Sequence, residues 1–217
     1  MARAVGKRIR RSVEASKHAI LEVAERHLID DGPNGVKVQK IGRELGITDA
    51  AIHYHFGNRE GLLEALLRFS GRRFVDDFAA MAESVDLASF SLDQAARLLT
   101  DLYGRRGGAR LAMWLVLSGW SPKGSGMLLP MATLLNEART RRALDRGLEV
   151  PTLEDSQRLI ALLSALAFAQ ALTGDAVLRS VGLNNLAPDA FLSWVAAELE
   201  SGRGAAAIDK IGPEDGS

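Results

Sequence analysis

Apolar residues recur at spacings of three and four along most of this chain, and no stretch alternates apolar and polar residues long enough to predict a strand. Breaks rich in glycine, proline and asparagine separate the periodic segments. We predict helices over about residues 12–30, 38–45, 48–56, 58–84, 89–104, 109–118, 126–146, 153–173 and 188–202. The pattern therefore predicts an all-α protein.

Two short helices near the N-terminus form the most informative segment. Val38, Ile41 and Leu45 give the first of them one apolar face. Gly46 then allows a sharp corner, and Thr48 is a suitable N-cap for the helix that follows. A glycine-turned pair of this kind is typical of proteins that insert a helix into the major groove of DNA.

The outward side of the second helix carries the candidate readers. Helical periodicity assigns Asp49, Ala50, His53 and Tyr54 to that side, where they can contact bases and phosphates. Thr48 and Ala50 can meet a thymine methyl, and Asp49 can accept from a cytosine amine. Amphipathic helices joined by a glycine also occur in helical domains that bind no DNA, so the pattern alone leaves both interpretations open.

A wider window, from Ser16 to Leu67, resembles the tetracycline-repressor (TetR) family of transcriptional regulators. The residues that carry the resemblance are Ala24, Leu28, Gly32, Val36, Ile41, Leu45, Gly46, Ile47, Thr48, Ile52, His55, Phe56, Asn58, Leu62 and Leu63. The resemblance implies an N-terminal three-helix DNA-binding domain with a helix-turn-helix. It also implies a larger C-terminal helical domain for ligand binding and dimerisation.

Three residues depart from the family pattern. His53 and Arg59 stand where the family usually has a tyrosine and a lysine, and both can still donate to a phosphate oxygen. Lys37 replaces a threonine that often caps the second helix, which leaves the capping of that helix open. With the reading face, these residues complete the predicted DNA-binding set: Lys37, Thr48, Asp49, Ala50, His53, Tyr54 and Arg59.

The distribution of charge also favours an N-terminal part that binds DNA. Residues 1–73 hold fourteen Lys and Arg against nine Asp and Glu, and the remainder holds thirteen against eighteen, so the first part faces the polyanion. We predict a DNA-binding domain over about residues 1–57, a ligand-binding and dimerisation domain over 58–202 and a flexible tail over 203–217. A basic arm over about residues 1–11 is either a solvated end or a segment that follows the DNA.

The two last long helices predict a dimer interface. The segment Leu153 to Thr173 is apolar nearly all round and must be covered on most sides, and the final helix adds a second apolar surface. Together they suggest a four-helix interface that buries well over ~1,200 Å² and brings two readers to a palindromic operator. The predicted interface residues are Leu159, Leu162, Leu166, Phe191, Trp194 and Val195.

A ligand site in the C-terminal domain is predicted from large, adaptable side chains, of which we select Phe78, Tyr103, Trp114 and Met131. Core packing is the default for any single one of these residues. The resemblance implies a small-molecule effector without identifying it. By resemblance alone, repression with release on ligand binding is the default.

Other functions find little support in this chain. With no cysteine there is no disulfide or thiolate chemistry, and no apolar run approaches the ~20 residues that span a bilayer. His53 and His55 point apart on a helix, so we predict no metal, no cofactor and no catalytic residue. We expect a cytoplasmic, non-enzymatic protein. A helical adaptor or a small-molecule-binding protein without DNA binding remains the alternative.

Overall fold

The structure, a computed structural model, describes residues 2–84, 86, 89–122 and 124–201, and the side chains within these ranges except those of residues 2–12 and 188. Over these residues it is built from helices and contains no strand, which confirms the all-α class. No described helix is long and apolar enough to cross a bilayer. The helices are α1 (Ala2–Asp31), α2 (Val38–Leu45), α3 (Asp49–Phe56), α4 (Arg59–Ser84), α5 (Leu92–Thr100), α6 (Gly108–Leu117), α7 (Leu129–Arg146), α8 (Leu153–Thr173), α9 (Ala176–Ser180) and α10 (Pro188–Glu200).

Three local features differ from the predicted elements. Helix α1 begins at Ala2, so the backbone of the predicted basic arm continues the helix. The side chains of that arm, and the predicted tail at 203–217, lie outside the described residues. The helix predicted over 89–104 is α5 followed by a π-helical turn at Asp101–Arg105, and the five-residue α9 is too short to leave a periodic signal.

The first of two compact units comprises Met1–Arg73 and Arg105–Lys123. It contains α1, a 3₁₀ turn at Pro33–Gly35, α2, α3, the first part of α4, and α6. Its core is a continuous set of buried apolar side chains, which fixes the helices as one body. The core residues are Ile20, Leu21, Val23, Ala24, Leu28, Val36, Val38, Ile41, Ile52, Leu62, Leu63, Leu66, Phe69, Leu111 and Leu115.

The second unit comprises Phe74–Gly104 and Gly124–Ser217. Helix α5 packs on α8 and α10, and α7 packs on α8. Among the described residues, its core draws buried apolar side chains from α4, α5, α7, α8 and α10 and from the segment before α5; they include Phe78, Phe90, Leu99, Met131 and Leu163. The N-caps are well made: Ser91 and Gln94 form a capping box at α5, and Thr152 and Asp155 form another at α8.

The compact units divide the chain differently from the predicted domains. Helix α4 runs without a break from Arg59 to Ser84, so no unit ends at residue 57. Helix α6 lies in the first unit because Leu111 and Leu115, 0% and 1% exposed, pack into the core of that unit. The predicted functional boundary at residue 57 remains a prediction, since compactness alone does not assign function.

Candidate nucleic-acid interface

The corner between α2 and α3 depends on a glycine. Gly46 has φ 66° and ψ 30°, in the left-handed region that side chains disfavour, and its N–H donates to the carbonyl of Gly42. The N–H of Ile47 donates to the same carbonyl at 2.9 Å. These two bonds end α2 and redirect the chain within two residues.

Gly42 is a second requirement that the sequence pattern did not reveal. A Cβ at this position would lie 2.8 Å from the carbonyl oxygen of Ile47 and 3.2 Å from Oδ1 of Asp49. Any larger residue would therefore push α3 away from α2. In the sequence, the sign of this requirement is a second glycine four residues before Gly46.

Thr48 begins α3 as predicted. Its backbone is extended, at φ −79° and ψ 154°, and its Oγ1 accepts from the N–H of Ala51 at 3.3 Å. Asp49 in the first turn adds a negative charge beside the positive end of the helix dipole. Since both features favour the same starting residue, the direction of α3 is well defined.

The outward side of α3 is available to a partner. Ala50, His53 and Tyr54 are exposed, with Tyr54 at 80%, whereas Ile52 on the opposite side is 1% exposed and packs in the core. Asp49 is half-buried beside Gly42. The helix therefore presents a methyl, an imidazole and a phenol to solvent on one side.

His53 is oriented by its own helix end. Its Nδ1 lies 3.0 Å from the carbonyl oxygen of Gly57, and because a carbonyl only accepts, Nδ1 carries the proton. In the neutral ring Nε2 is then an acceptor. A phosphate contact through Nε2 requires the doubly protonated imidazolium.

The starts of α2 and α4 are held in different ways. At α4, Oδ1 of Asn58 accepts from the N–H of Gly61 at 2.7 Å and so caps the helix. At α2, Lys37 is exposed and makes no side-chain capping bond. Arg59 donates instead to two backbone carbonyls just before α2: Nε to Val36 at 3.1 Å and Nη2 to Pro33 at 2.5 Å.

Ion pairs between α1 and α2 brace the corner. Glu44 accepts from Arg26 and, at 3.0 Å, from Nε2 of the buried His27, and these bonds lower the pKa of Glu44, with that from Arg26 contributing most. Lys40 donates to Asp31 at 2.8 Å, which lowers the pKa of Asp31 and raises that of Lys40. The sequence pattern could not reveal these partners, which lie nine to eighteen residues apart along the chain.

The predicted ligand residues do not all fall in one unit. Phe78 and Met131 are 5% and 1% exposed in the core of the second unit, where Phe78 packs edge-on against Phe90. Tyr103 is half-buried in the same unit, with its hydroxyl 2.7 Å from Oγ of Ser164. Trp114 lies in the first unit, where its ring faces the guanidinium of Arg59.

The predicted interface residues form an apolar surface on α8 and α10. Leu159, Leu166 and Val195 are partly buried against the core of the second unit. Leu162 and Trp194 remain 38% and 56% exposed. Trp194 also stacks on the half-buried Phe191, with ring centroids 5.9 Å apart.

The glycine corner, the capped α3 and its exposed outer side together define a helix-turn-helix of the DNA-binding class. Residues 20–66 match the family model for bacterial regulatory proteins of the tetR family. The matched residues lie within the first unit and make up less than half of the chain, so the similarity to that family concerns this unit.

Curated relatives match part of the chain. The chain is 35% identical over 86 residues to the HTH-type transcriptional regulators Mb1846 of Mycobacterium bovis and Rv1816 of Mycobacterium tuberculosis. The aligned residues are 39% of this chain and 32% of each relative, so the match spans about a third of their length.

Two solved structures share the fold. A protein from Saccharomonospora viridis, described as a transcriptional regulator and solved in complex with choline, has a TM-score of 0.58 and 22% identity, over 86% of this chain and 96% of that chain. A structure reported as the molecular basis for control of antibiotic production by bacterial hormones has a TM-score of 0.52 and 20% identity, over 84% and 97%. At these identities the likeness concerns the fold.

Proposed function

We propose that this protein is a ligand-responsive transcriptional repressor that binds palindromic operator DNA as a homodimer, and that a small molecule in the second unit changes its affinity for the operator. The observation that carries the proposal is the exposed side of α3, with Ala50, His53 and Tyr54 beyond a capped and glycine-defined corner. Acting on chromosomal DNA implies a cytoplasmic location.

The residues have separable roles in this proposal. Ala50 and Asp49, with Thr48, read base edges, because the N-terminal turn of a recognition helix reaches deepest into the major groove. His53, Tyr54 and Lys37 hold phosphates at its margins. Substitutions in the first group should change the preferred sequence, and those in the second should weaken binding to all sequences.

The decisive experiment is selection of bound sequences from a random duplex pool, followed by titration of the recovered operator at several salt concentrations. We expect a palindrome whose affinity falls steeply with salt. Ala50→Gly should alter the selected bases, whereas Lys37→Ala should weaken binding to every sequence and lower the salt slope. Recovery of no sequence by folded protein at low ionic strength would favour the adaptor alternative.

His53 provides a sharper test. While Nδ1 keeps its bond to Gly57, a phosphate contact through Nε2 needs the imidazolium, so operator affinity should rise as the solution becomes more acid. The His53→Gln variant, which donates at every pH, should lose that dependence. If His53→Gln retains the pH dependence of the parent, another group is responsible and His53 is not a phosphate contact.

The dimer is proposed from the apolar surface of α8 and α10. Trp194 and Leu162 keep 56% and 38% of their surface exposed beside apolar neighbours on the same two helices. A stable dimer through these helices should bury more than about 1,200 Å². Sedimentation at micromolar concentration measures the oligomeric state. If the protein is a monomer, the reason for expecting a palindromic operator is lost.

The effector is proposed only as a small molecule. Phe78, Tyr103 and Met131 supply aromatic, hydroxyl and thioether groups in the second unit. A screen for release of labelled operator would include choline, with which the S. viridis protein was solved. A compound must favour one state over the other to alter operator affinity, and equal binding to both would change nothing.

A further inference from the structure

Arg59 begins α4, but its side chain binds other parts of the first unit. Its Nε and Nη2 donate to the carbonyls of Val36 and Pro33, at 3.1 and 2.5 Å. Its guanidinium carbon lies 4.7 Å from the centroid of the Trp114 ring. The side chain is half-buried, so three groups of the protein already determine where the guanidinium lies.

The segment that Arg59 binds is the entry to the helix-turn-helix. Pro33 and Val36 belong to the short connection between α1 and α2, and Lys37 at the N-cap of α2 offers no side-chain bond to the first turn. Val36 itself is fully buried. Arg59 is therefore the side chain that ties this connection to α4 through hydrogen bonds, and its planar fork suits two acceptors at once.

Trp114 in turn has a fixed position. It is partly buried against the core of the first unit, on the same helix as Leu111 and Leu115, which are members of that core. A flat ring facing a guanidinium attracts it electrostatically and restricts its orientation. Loss of the ring would leave Arg59 free to turn toward solvent.

We propose that Arg59 is a positioning residue for the DNA-reading surface and not a phosphate contact, and that Trp114 of α6 holds it on the carbonyls of Pro33 and Val36. Helix α6 thereby becomes part of the reading machinery. The effect on operator affinity rests on the proposed function, whereas the effect on the start of α2 can be measured without DNA.

Arg59→Lys separates the two roles, because lysine keeps the charge but cannot donate to both carbonyls in a planar fork. We expect Arg59→Lys and Trp114→Leu each to weaken operator binding about tenfold, and the double variant to be little worse than either. The slope of log affinity against log salt should stay that of the parent, since no phosphate contact is lost. Trp114→Phe, which keeps an aromatic face, should recover most of the affinity.

Hydrogen exchange provides the readout independent of DNA. The N–H groups of Lys40 and Ile41 both donate to the carbonyl of Lys37, at 3.0 and 3.1 Å, and report on the first turn of α2. These two amides should exchange faster in Arg59→Lys and in Trp114→Leu. Trp120→Leu is the matched control, because Trp120 packs partly buried against the same core without the ring contact to Arg59 that Trp114 makes.

The following outcomes would overturn the proposal that Arg59 is a positioning residue. Near-parent affinity in Arg59→Lys, with a salt slope lower by about one contact in Arg59→Gln and no effect of Trp114→Leu, would make Arg59 a phosphate contact and overturn the proposal. Unchanged exchange at Lys40 and Ile41 in both variants would also overturn it. Should Trp114→Leu fail to fold, Arg59→Lys and Trp114→Phe still give both readouts. If the parent binds no duplex, the proposed function fails while the exchange result stands.

Discussion

The two units of this protein differ most in how many large apolar side chains they leave exposed. In the first, polar side chains connect one helix to another: Glu25 of α1 accepts from Ser70 and Arg73 of α4, each at 2.8 Å, and Glu44 of α2 binds two residues of α1. In the second, polar bonds also join helices, as between Arg139 of α7 and Ser156 of α8 at 2.9 Å, but more large apolar side chains remain exposed than in the first: Leu129, Leu144, Leu148, Val150, Leu153, Leu162, Val177, Val181, Leu183 and Trp194.

This difference fits the roles proposed for the two units, DNA reading for the first and dimerisation for the second. A surface that reads DNA must hold its side chains to fractions of an ångström, and directional bonds between helices define relative position better than apolar contact does. A surface that buries itself against a second copy needs exposed apolar area before the partner arrives. The exposed apolar area of the second unit therefore fits the dimer interface proposed for it.

The largest expected effect concerns the apolar core of the first unit. Leu63 is fully buried in the first unit, so Leu63→Ala should lower the free energy of unfolding by about 2–5 kcal/mol through lost burial and a cavity. Urea denaturation measures it. Leu117→Ala, in the same unit but 81% exposed, is the control and should change stability little. Equal losses would contradict the assigned core.

The next effect tests the exposed apolar surface of the second unit. Trp194→Glu places a charge at the centre of the proposed interface and should weaken dimerisation by about 30-fold or more, as loss of a hot spot does. Sedimentation velocity over a concentration series measures it. Val177→Glu also charges an exposed apolar site, 57% exposed but on α9, and should leave the dimer intact. A matching loss in both variants would indicate a different interface.

A smaller effect compares helix caps between the units. Thr152 forms a full capping box, accepting from the N–H of Asp155 at 3.2 Å and donating its own N–H to that carboxylate at 2.8 Å, whereas Thr48 makes a single bond at 3.3 Å. Thr152→Ala should therefore cost about 1–2 kcal/mol of stability and Thr48→Ala about 0.5–1. Thermal unfolding of the two variants measures the difference. The reverse order would show that α3 depends on its cap more than α8 does.

The smallest effect is a pH dependence of the first unit. Bonds from Arg26 and His27 lower the pKa of Glu44 below its ordinary 4.5, so the folded state binds its proton less readily than the unfolded state. The resulting stability is present above 4.5 and is lost as pH falls through the lower folded value. Glu44→Gln should reduce the difference in melting temperature between neutral and acid solution. Glu60→Gln, an exposed first-turn carboxylate of α4, should not.

Much of this architecture is predictable from the chain alone. Helical periodicity predicted α2, α3, α4 and α8 closely, and Gly46 and Thr48 predicted the end of α2 and the start of α3, because backbone conformation and capping depend on neighbouring residues. The alternation of outward and inward residues on α3 followed from the same period. Local rules fail for α9, which is shorter than two turns, and for the start of α1, where polar residues continue a helix without an apolar stripe.

The contacts between residues that are distant in sequence were decided only by the tertiary structure. Arg59 reads locally as a cation at a helix start, and Trp114 as one aromatic among several; only folding brings them to 4.7 Å and brings Arg59 onto the carbonyls of Pro33 and Val36. The same holds for Glu44 and His27, separated by seventeen residues. The sequence by itself determined where helices form and which sides are apolar, since both depend on short-range periodicity. Which polar groups pair, and to which unit α6 belongs, depends on packing across the chain.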